Sequence, residues 1–236
     1  MKYIIKFKKI GKIRFISHLD LQKVFLRLFR IIGVKPKYSN GYNPHPKLSF
    51  ALPLSLGFGS LSEYIDLETE DGYEIDYDDF QNKLRKYLPD GLYIEYIKEK
   101  PSDLNKKLAS YIDCAEYTIE ASSFKNTDKT LEGFLKQESI VYEKVSRKTG
   151  KTKQVDIKPM ILKMDLIESD NNIITLSALL HAGNDSVLNP NTLIEQLYKY
   201  ADVKVDLTQL KITRTAVMAR INKKIQNIDD LINDIS

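Results

Sequence analysis

Apolar and polar residues alternate over "KYIIKFKK" at the start of the chain, the period of a strand with one buried face. "KIRFIS" keeps that alternation, so the strand is expected to resume after a turn at Gly11. The period then changes. In "HLDLQKVFLRLFRIIG", Leu21, Val24, Phe25, Leu28 and Ile32 fall on one face of a helix. Ser17 is placed to cap it, Asp20 puts a carboxylate in its first turn, and Gly33 stops it. Lys23, Arg27 and Arg30 form a second stripe, at i, i+4 and i+7. "VKPKYS" predicts a short strand, and "KLSFALPLSLG" and "SEYIDLET" follow the loop after it. Phe80, Leu84 and Leu88 predict a second helix that ends at Pro89, and "GLYIEYIKEK" alternates as a final strand.

The second half repeats the order. "SYIDCAEYTIEA" predicts a strand and "TDKTLEGFLKQE" a helix. Hairpins are expected to turn at Thr149-Gly150 and at "SDNN". "NPNTLIEQLYKYA" has the Asn-Pro start of a helix, and "LTQLKITRTAVMAR" reads as a strand. The expected fold class is therefore α+β: two tandem ferredoxin-like domains, each β-α-β-β-α-β, with antiparallel sheets. The second is elaborated with long hairpins. The expected bounds are 1–100 and 109–220, joined by the polar stretch "KPSDLNKKL", with 221–236 as a helical tail.

Composition narrows the class. Of 236 residues, 42% are hydrophobic and 29% charged, the balance of a folded soluble protein. No apolar run approaches the ~20 residues that a membrane helix needs. The N-terminus lacks the continuous apolar core of a signal peptide, so no membrane partner and a cytoplasmic location are expected. Cys114 is the only cysteine. It excludes an internal disulfide and a thiolate cluster, and it sits in a strand-like run where a small buried residue fits.

The net charge of +4 conceals a segregation. Residues 1–50 carry twelve Lys or Arg and one acid, Asp20; residues 51–80 carry nine acids and no Lys or Arg. Such a basic block favours an anionic partner. The alternative is that the two blocks pair with each other in adjacent strands.

Several chemistries have weak support. The three histidines, His18, His45 and His181, lack metal-ligand spacing, so neither a metal nor another cofactor is expected. "GFGSLS" is glycine-rich but precedes a strand, whereas a phosphate loop needs a helix behind it. No G-x-S-x-G occurs. His18 and His45, with Tyr38, Tyr42 and Lys47, permit metal-free acid–base chemistry without indicating it. Nucleic-acid binding has broader support. Cations interleave with aromatics in "YIIKFKKIGKIRF" and "PKYSNGYNPHPKLSF", the mixture that holds phosphates and stacks on unpaired bases. A second basic hairpin is expected around Arg147, Lys148, Lys151 and Lys153. In "YSNGYNPHPKLSF", Pro44 and Pro46 restrict the backbone around His45, and Gly41 permits a turn before it. A rigid recognition loop beside Ser17, His18 and Arg27 is expected there.

The stretch Arg14 to Leu67 also resembles the signature of the radical-SAM-linked proteins, a bacterial family of unknown function. The resemblance is carried by Arg14, Phe15, Ser17, His18, Leu19 and Asp20, by Arg27 and Arg30, by Tyr38, Ser39, Gly41, Asn43, Pro44, His45 and Pro46, and by Ser62, Glu63 and Tyr64. Tyr42 stands where the family usually has Phe. "VDIKP" and "ITRTAV" resemble weaker blocks. The resemblance implies a radical SAM protein as partner. This chain lacks the three cysteines of that chemistry, so it resembles an accessory component. In architecture alone, the tandem order is similar to RNA-binding proteins of the CRISPR repeat-processing type. The leading expectation is a non-catalytic accessory protein that binds tRNA or rRNA. Its binding residues would be Arg14, Ser17, His18, Asp20, Arg27, Arg30, Tyr38, Ser39, Gly41, Asn43, His45, Lys47 and Glu63. The alternatives are a metal-independent RNA endonuclease using His18 and His45, and an adaptor that docks on the radical SAM enzyme through the acidic 63–79 segment.

Overall fold

The computed structural model describes residues 1–145, 149–170, 172–183, 185–221 and 224–233. Two compact units divide the chain: Met1–Asp113 with Arg214–Ser236, and Cys114–Thr213. In chain order the first unit begins with β1 (Lys2–Lys9), α1 (His18–Ile32), β2 (Leu48–Phe50), β3 (Gly59–Glu68), α2 (Tyr77–Tyr87) and β4 (Leu92–Glu99). The second holds β5 (Ile112–Ser122, from Cys114 on), α3 (Thr127–Lys136), β6 (Val141–Val145), β7 (Thr152–Asp156), β8 (Ile161–Ser169), β9 (Ile173–His181) and α4 (Pro190–Tyr200). β10 (Lys211–Ile221), β11 (Lys224–Asn227) and α5 (Ile228–Asn233) complete the chain; from Arg214 they belong to the first unit.

In the first unit β1 lies between β4 and β3, antiparallel to both, and β2 pairs antiparallel with β3. Ile5 faces Ile65 and Ile97 across these ladders. Tyr3, Ile5 and Phe7 therefore share one sheet face, where α1 and α2 pack through Phe25, Phe29, Phe80 and Leu84. The Phe7 and Phe25 rings meet edge to face at 4.9 Å. Lys6, Tyr64 and Tyr96 lie on the opposite face, as the period of two requires.

The C-terminal segment covers that opposite face. The Asp229 carboxylate accepts from Lys6 Nζ at 2.7 Å and from the Tyr96 hydroxyl at 2.7 Å, while Ile228, Leu231 and Ile232 are buried. The tail was expected as a helix over 221–236; the described part is instead a short strand and a six-residue helix held by these contacts. Asp229→Ala removes the acceptor of the part-buried Tyr96 hydroxyl and one of the two carboxylates on Lys6, Glu95 remaining at 2.8 Å, and is expected to cost about 1–3 kcal/mol. Urea unfolding of the two forms measures it, and equal stability would contradict the anchoring role.

Three further expectations are corrected. "KIRFIS" is not a strand: Gly11 turns at φ 65° and Gly11–Phe15 winds into a 3-10 turn. "VKPKYS" makes only isolated bridges, Pro36 to Thr69 and Tyr38 to Pro46, because Pro36 has no N–H to extend a ladder. The polar stretch expected as a linker is packed into the first unit. Leu104 and Leu108 are buried, and Asp66 accepts from Leu108 N at 2.7 Å and from Lys100 Nζ. The unit boundaries consequently differ from 1–100, 109–220 and 221–236.

In the second unit β9 pairs antiparallel with β5 and with β8. Cys114 is buried in β5. Gly133 in α3 sits against Tyr200 of α4; a Cβ there would lie 2.6 Å from the Tyr200 hydroxyl. β6 and β7 form the expected basic hairpin. Lys151 and Lys153 on it are exposed, while Arg147 and Lys148 lie outside the described residues. The chain is thus a mixed α+β protein with mostly antiparallel pairing.

Candidate nucleic-acid interface

α1 presents a cationic stripe on a fixed support. Ser17 Oγ accepts from Asp20 N at 3.1 Å, and Gly33 closes the helix in the left-handed region at φ 82°. With Phe25, Leu28 and Phe29 buried, Lys23, Arg27 and Arg30 are exposed. Lys23 pairs with Asp20 at 3.0 Å. Among the described residues, neither Arg27 nor Arg30 has a carboxylate within reach. Phe15, just before the helix, is 61% exposed, with the Arg14 guanidinium 4.8 Å from its ring centre.

The loop after α1 is pinned through its backbone. Ser39 N donates to His45 O at 2.8 Å, and His45 N donates to Ser39 Oγ at 3.0 Å. Lys47 N donates to Lys37 O at 2.7 Å. Gly41 turns the loop at φ 128°, beyond the reach of most side chains. Tyr38, Tyr42, Asn43 and the His45 side chain remain exposed. Backbone order and side-chain exposure occur together here.

A groove of about 910 Å³ opens beside this loop. α1 lines it with Leu19, Gln22, Lys23 and Leu26. The loop and β2 add Ser39, His45, Lys47, Leu48 and Ser49. β1 and β3 supply Lys2, Asp66, Leu67 and Glu68, and Lys100, Asn105, Lys106 and Lys107 close the far side. Its acids are neutralised internally: Lys47 holds Glu68 at 3.0 Å, and Lys100 holds Asp66. Lys37 likewise pairs with Asp71 at 2.7 Å. The basic and acidic blocks of the sequence thus pair in part; among the described residues Arg27 and Arg30 on α1, and Lys106 and Lys107 on this rim, keep positive charge with no carboxylate within reach.

Glu63 and Arg214 form a buried ionic cluster. Arg214 Nη1 is 3.1 Å from Glu63 Oε1, both side chains being at most 3% exposed. Arg214 also donates to Leu52 O and Pro53 O, each at 3.0 Å. Burial pushes the Glu63 carboxyl above its ordinary range, against the pull of Arg214, Ser60 and Lys9. The buried Lys9 donates to Ile16 O at 3.3 Å, and burial holds its pKa down. The cluster therefore fixes both the 52–53 turn and the lead into Ser17.

The His18 ring packs edge-on against Phe50 at 5.1 Å. Burial lowers its pKa, and the Lys9 charge adds to this. Below about pH 6.5 the unfolded chain therefore binds this proton before the folded chain does. Stability should fall with pH between the unfolded and the lower folded pKa, and His18 contributes no slope above that window. His18→Gln is expected to flatten the change in Tm between pH 7.5 and 5.5. An unchanged slope in the variant would refute this.

The profile of a family described as an uncharacterized protein conserved in bacteria, DUF2344, matches residues 2–190. The chain belongs to the DUF2344 family. No curated protein matches it at a significant level. Among solved structures it is similar to a chain in the crystal structure of a Cbf5-Nop10-Gar1 complex. The identity is 11% and the TM-score 0.53, over 91% of this chain and 48% of that one. At that identity the likeness is one of fold alone, and the DUF2344 chain spans about half the length of the chain it matches.

In this DUF2344 chain the sequence-derived residues separate by their surroundings. Lys23 lines the groove together with Ser39, His45 and Lys47. Arg27, Arg30, Tyr38 and Asn43 are exposed. Glu63 is buried, so it holds Arg214 and is not on a binding surface. Ser17 and Asp20 cap α1, and His18 packs on Phe50 without lining the groove, so it does not join His45 there. Arg14 turns to Phe15. Lys106 and Lys107 escaped the sequence reading, although "NKKL" was a visible cationic pair.

Proposed function

We propose that this DUF2344 protein is a non-catalytic accessory protein that binds RNA, tRNA or rRNA, through α1 and the loop following it. The carrying observation is the exposed Arg27 and Arg30, which have no carboxylate within reach among the described residues, on a helix capped at both ends. Exposed Phe15, Tyr38 and Tyr42 add rings on which unpaired bases can stack. The C-terminal segment occupies the Lys6–Tyr64–Tyr96 side of the sheet, which leaves the helix side for a polyanion.

The runs β1-α1-β2-β3-α2-β4 and β5-α3-β8-β9-α4-β10 support a tandem ferredoxin-like reading, with β6 and β7 inserted in the second. In the first unit β1 lies between β4 and β3, and β2 pairs with β3, neighbours that are consistent with that fold. The radical SAM partner rests on the motif resemblance alone, and the cytoplasm is the proposed location. No described helix is long and apolar enough to cross a membrane. Fluorescence anisotropy with labelled RNA at two salt concentrations tests the reading. Binding at micromolar Kd or tighter that weakens with salt is expected, and no binding at low salt would overturn it.

A further inference from the structure

We infer that the groove beside α1 is a subsite for one unstacked nucleotide of single-stranded RNA, with the His45 ring stacking on its base and Lys106 and Lys107 holding its phosphate. This inference rests on the RNA-binding reading and adds to it where and how a base is held.

The first argument is the way His45 is presented. Its N–H and C=O are both bonded to Ser39, and prolines flank it, so the backbone has few alternatives. Its ring is exposed, lines the groove, and has no hydrogen-bond partner among the described residues. A loop that only connects two elements needs no such fixing, whereas a stacking ring gains from it because little freedom is lost on binding. Histidine is among the rings on which unstacked bases are held.

The second argument is the groove itself. Its volume of about 910 Å³ lies within the range of ligand sites. Leu19, Leu26, Leu48 and Leu67 give its lining an apolar part, and Leu19 is 66% exposed. Charge is distributed to match a nucleotide. Lys106 and Lys107 are exposed on the rim with no carboxylate within reach among the described residues, while Asp66 and Glu68 are neutralised by Lys100 and Lys47. The Gln22 amide supplies donors and an acceptor, and the Asn105 amide, whose Oδ1 accepts from the Tyr111 hydroxyl at 3.3 Å, adds donors; the edge of a base needs these and a run of carboxylates does not. An acidic peptide could use the lysines but would leave the ring and the amides without a role.

The test is anisotropy of a fluorescein-labelled single-stranded RNA decamer with the full chain, its H45A and H45F forms, and K106E/K107E. His45 is exposed, so both forms should fold, and circular dichroism checks this. H45A is expected to weaken binding about five- to tenfold, and H45F to stay within about twofold of wild type. K106E/K107E should weaken binding and reduce its salt dependence, and the duplex form of the decamer should bind less tightly. Equal loss in H45A and H45F would mean that the imidazole bonds or transfers protons, which overturns the stacking role. If wild type binds and R27E/R30E weakens it while H45A does not, the groove inference fails and the RNA reading stands. If wild type binds no RNA, the RNA reading fails first. Tighter binding of a labelled deca-glutamate peptide than of RNA would assign the groove to an acidic protein partner and overturn the inference.

Discussion

Arg214→Ala is expected to destabilise the protein by about 3–5 kcal/mol, because it leaves Glu63 buried without its partner. For a chain of this size that corresponds to a fall in Tm of roughly 10 °C. The same change removes the donors to Leu52 O and Pro53 O. A double variant separates the two effects. Glu63→Met with Arg214→Met replaces the ion pair by apolar volume, and such replacement is often close to neutral. The loss should then be clearly smaller than the sum of the single losses, with the uncapped carbonyls as the remainder. Urea unfolding of wild type, Glu63→Met, Arg214→Met and the double variant measures the coupling. Additive losses would show that the pair is not energetically linked and that Arg214 acts only through the carbonyls.

The second large effect is on binding. R27E/R30E should weaken RNA binding on the order of 10- to 100-fold at moderate salt, since two cations that meet phosphates become two anions that repel them. Stability should change little. Both side chains are exposed, and only Arg30, in the last turn of α1, interacts favourably with the helix dipole, a contribution of about 0.3–1 kcal/mol. The two predictions are complementary: one residue pair should affect folding strongly, the other should affect RNA binding and leave folding nearly unchanged.

How much of this was legible in the sequence depends on the range of the interaction. α1 was legible because a period of 3.6, a serine cap and a terminal glycine are local signals, and the Lys23–Arg27–Arg30 stripe followed from the same geometry. The stiffness around His45 was legible because proline restricts its own backbone; the reciprocal bonds to Ser39 were not. Glu63 looked like a surface acid in an acidic segment. Its partner Arg214 lies far along the chain, and no local pattern announces that pairing. Leu104 and Leu108 are two apolar residues in a polar run, too few to signal packing. Ile228, Leu231 and Ile232 form one helical turn, which is meaningful only once Lys6 and Tyr96 are seen opposite Asp229. Phe15 kept a strand alternation, yet Gly11 diverts the backbone into a 3-10 turn and leaves the ring exposed.

The most direct measurement of the central claim is the salt dependence of RNA affinity for wild type and R27E/R30E. Anisotropy titrations with one labelled single-stranded RNA, between about 50 and 200 mM salt, supply it. Wild type should bind at micromolar Kd or tighter at the lower salt, with log K falling linearly against log salt. In the variant the slope should be shallower by about 1.4, the loss of two phosphate contacts on a single strand. Equal slopes and equal affinities in the two proteins would contradict the assignment of α1 as the RNA-binding face.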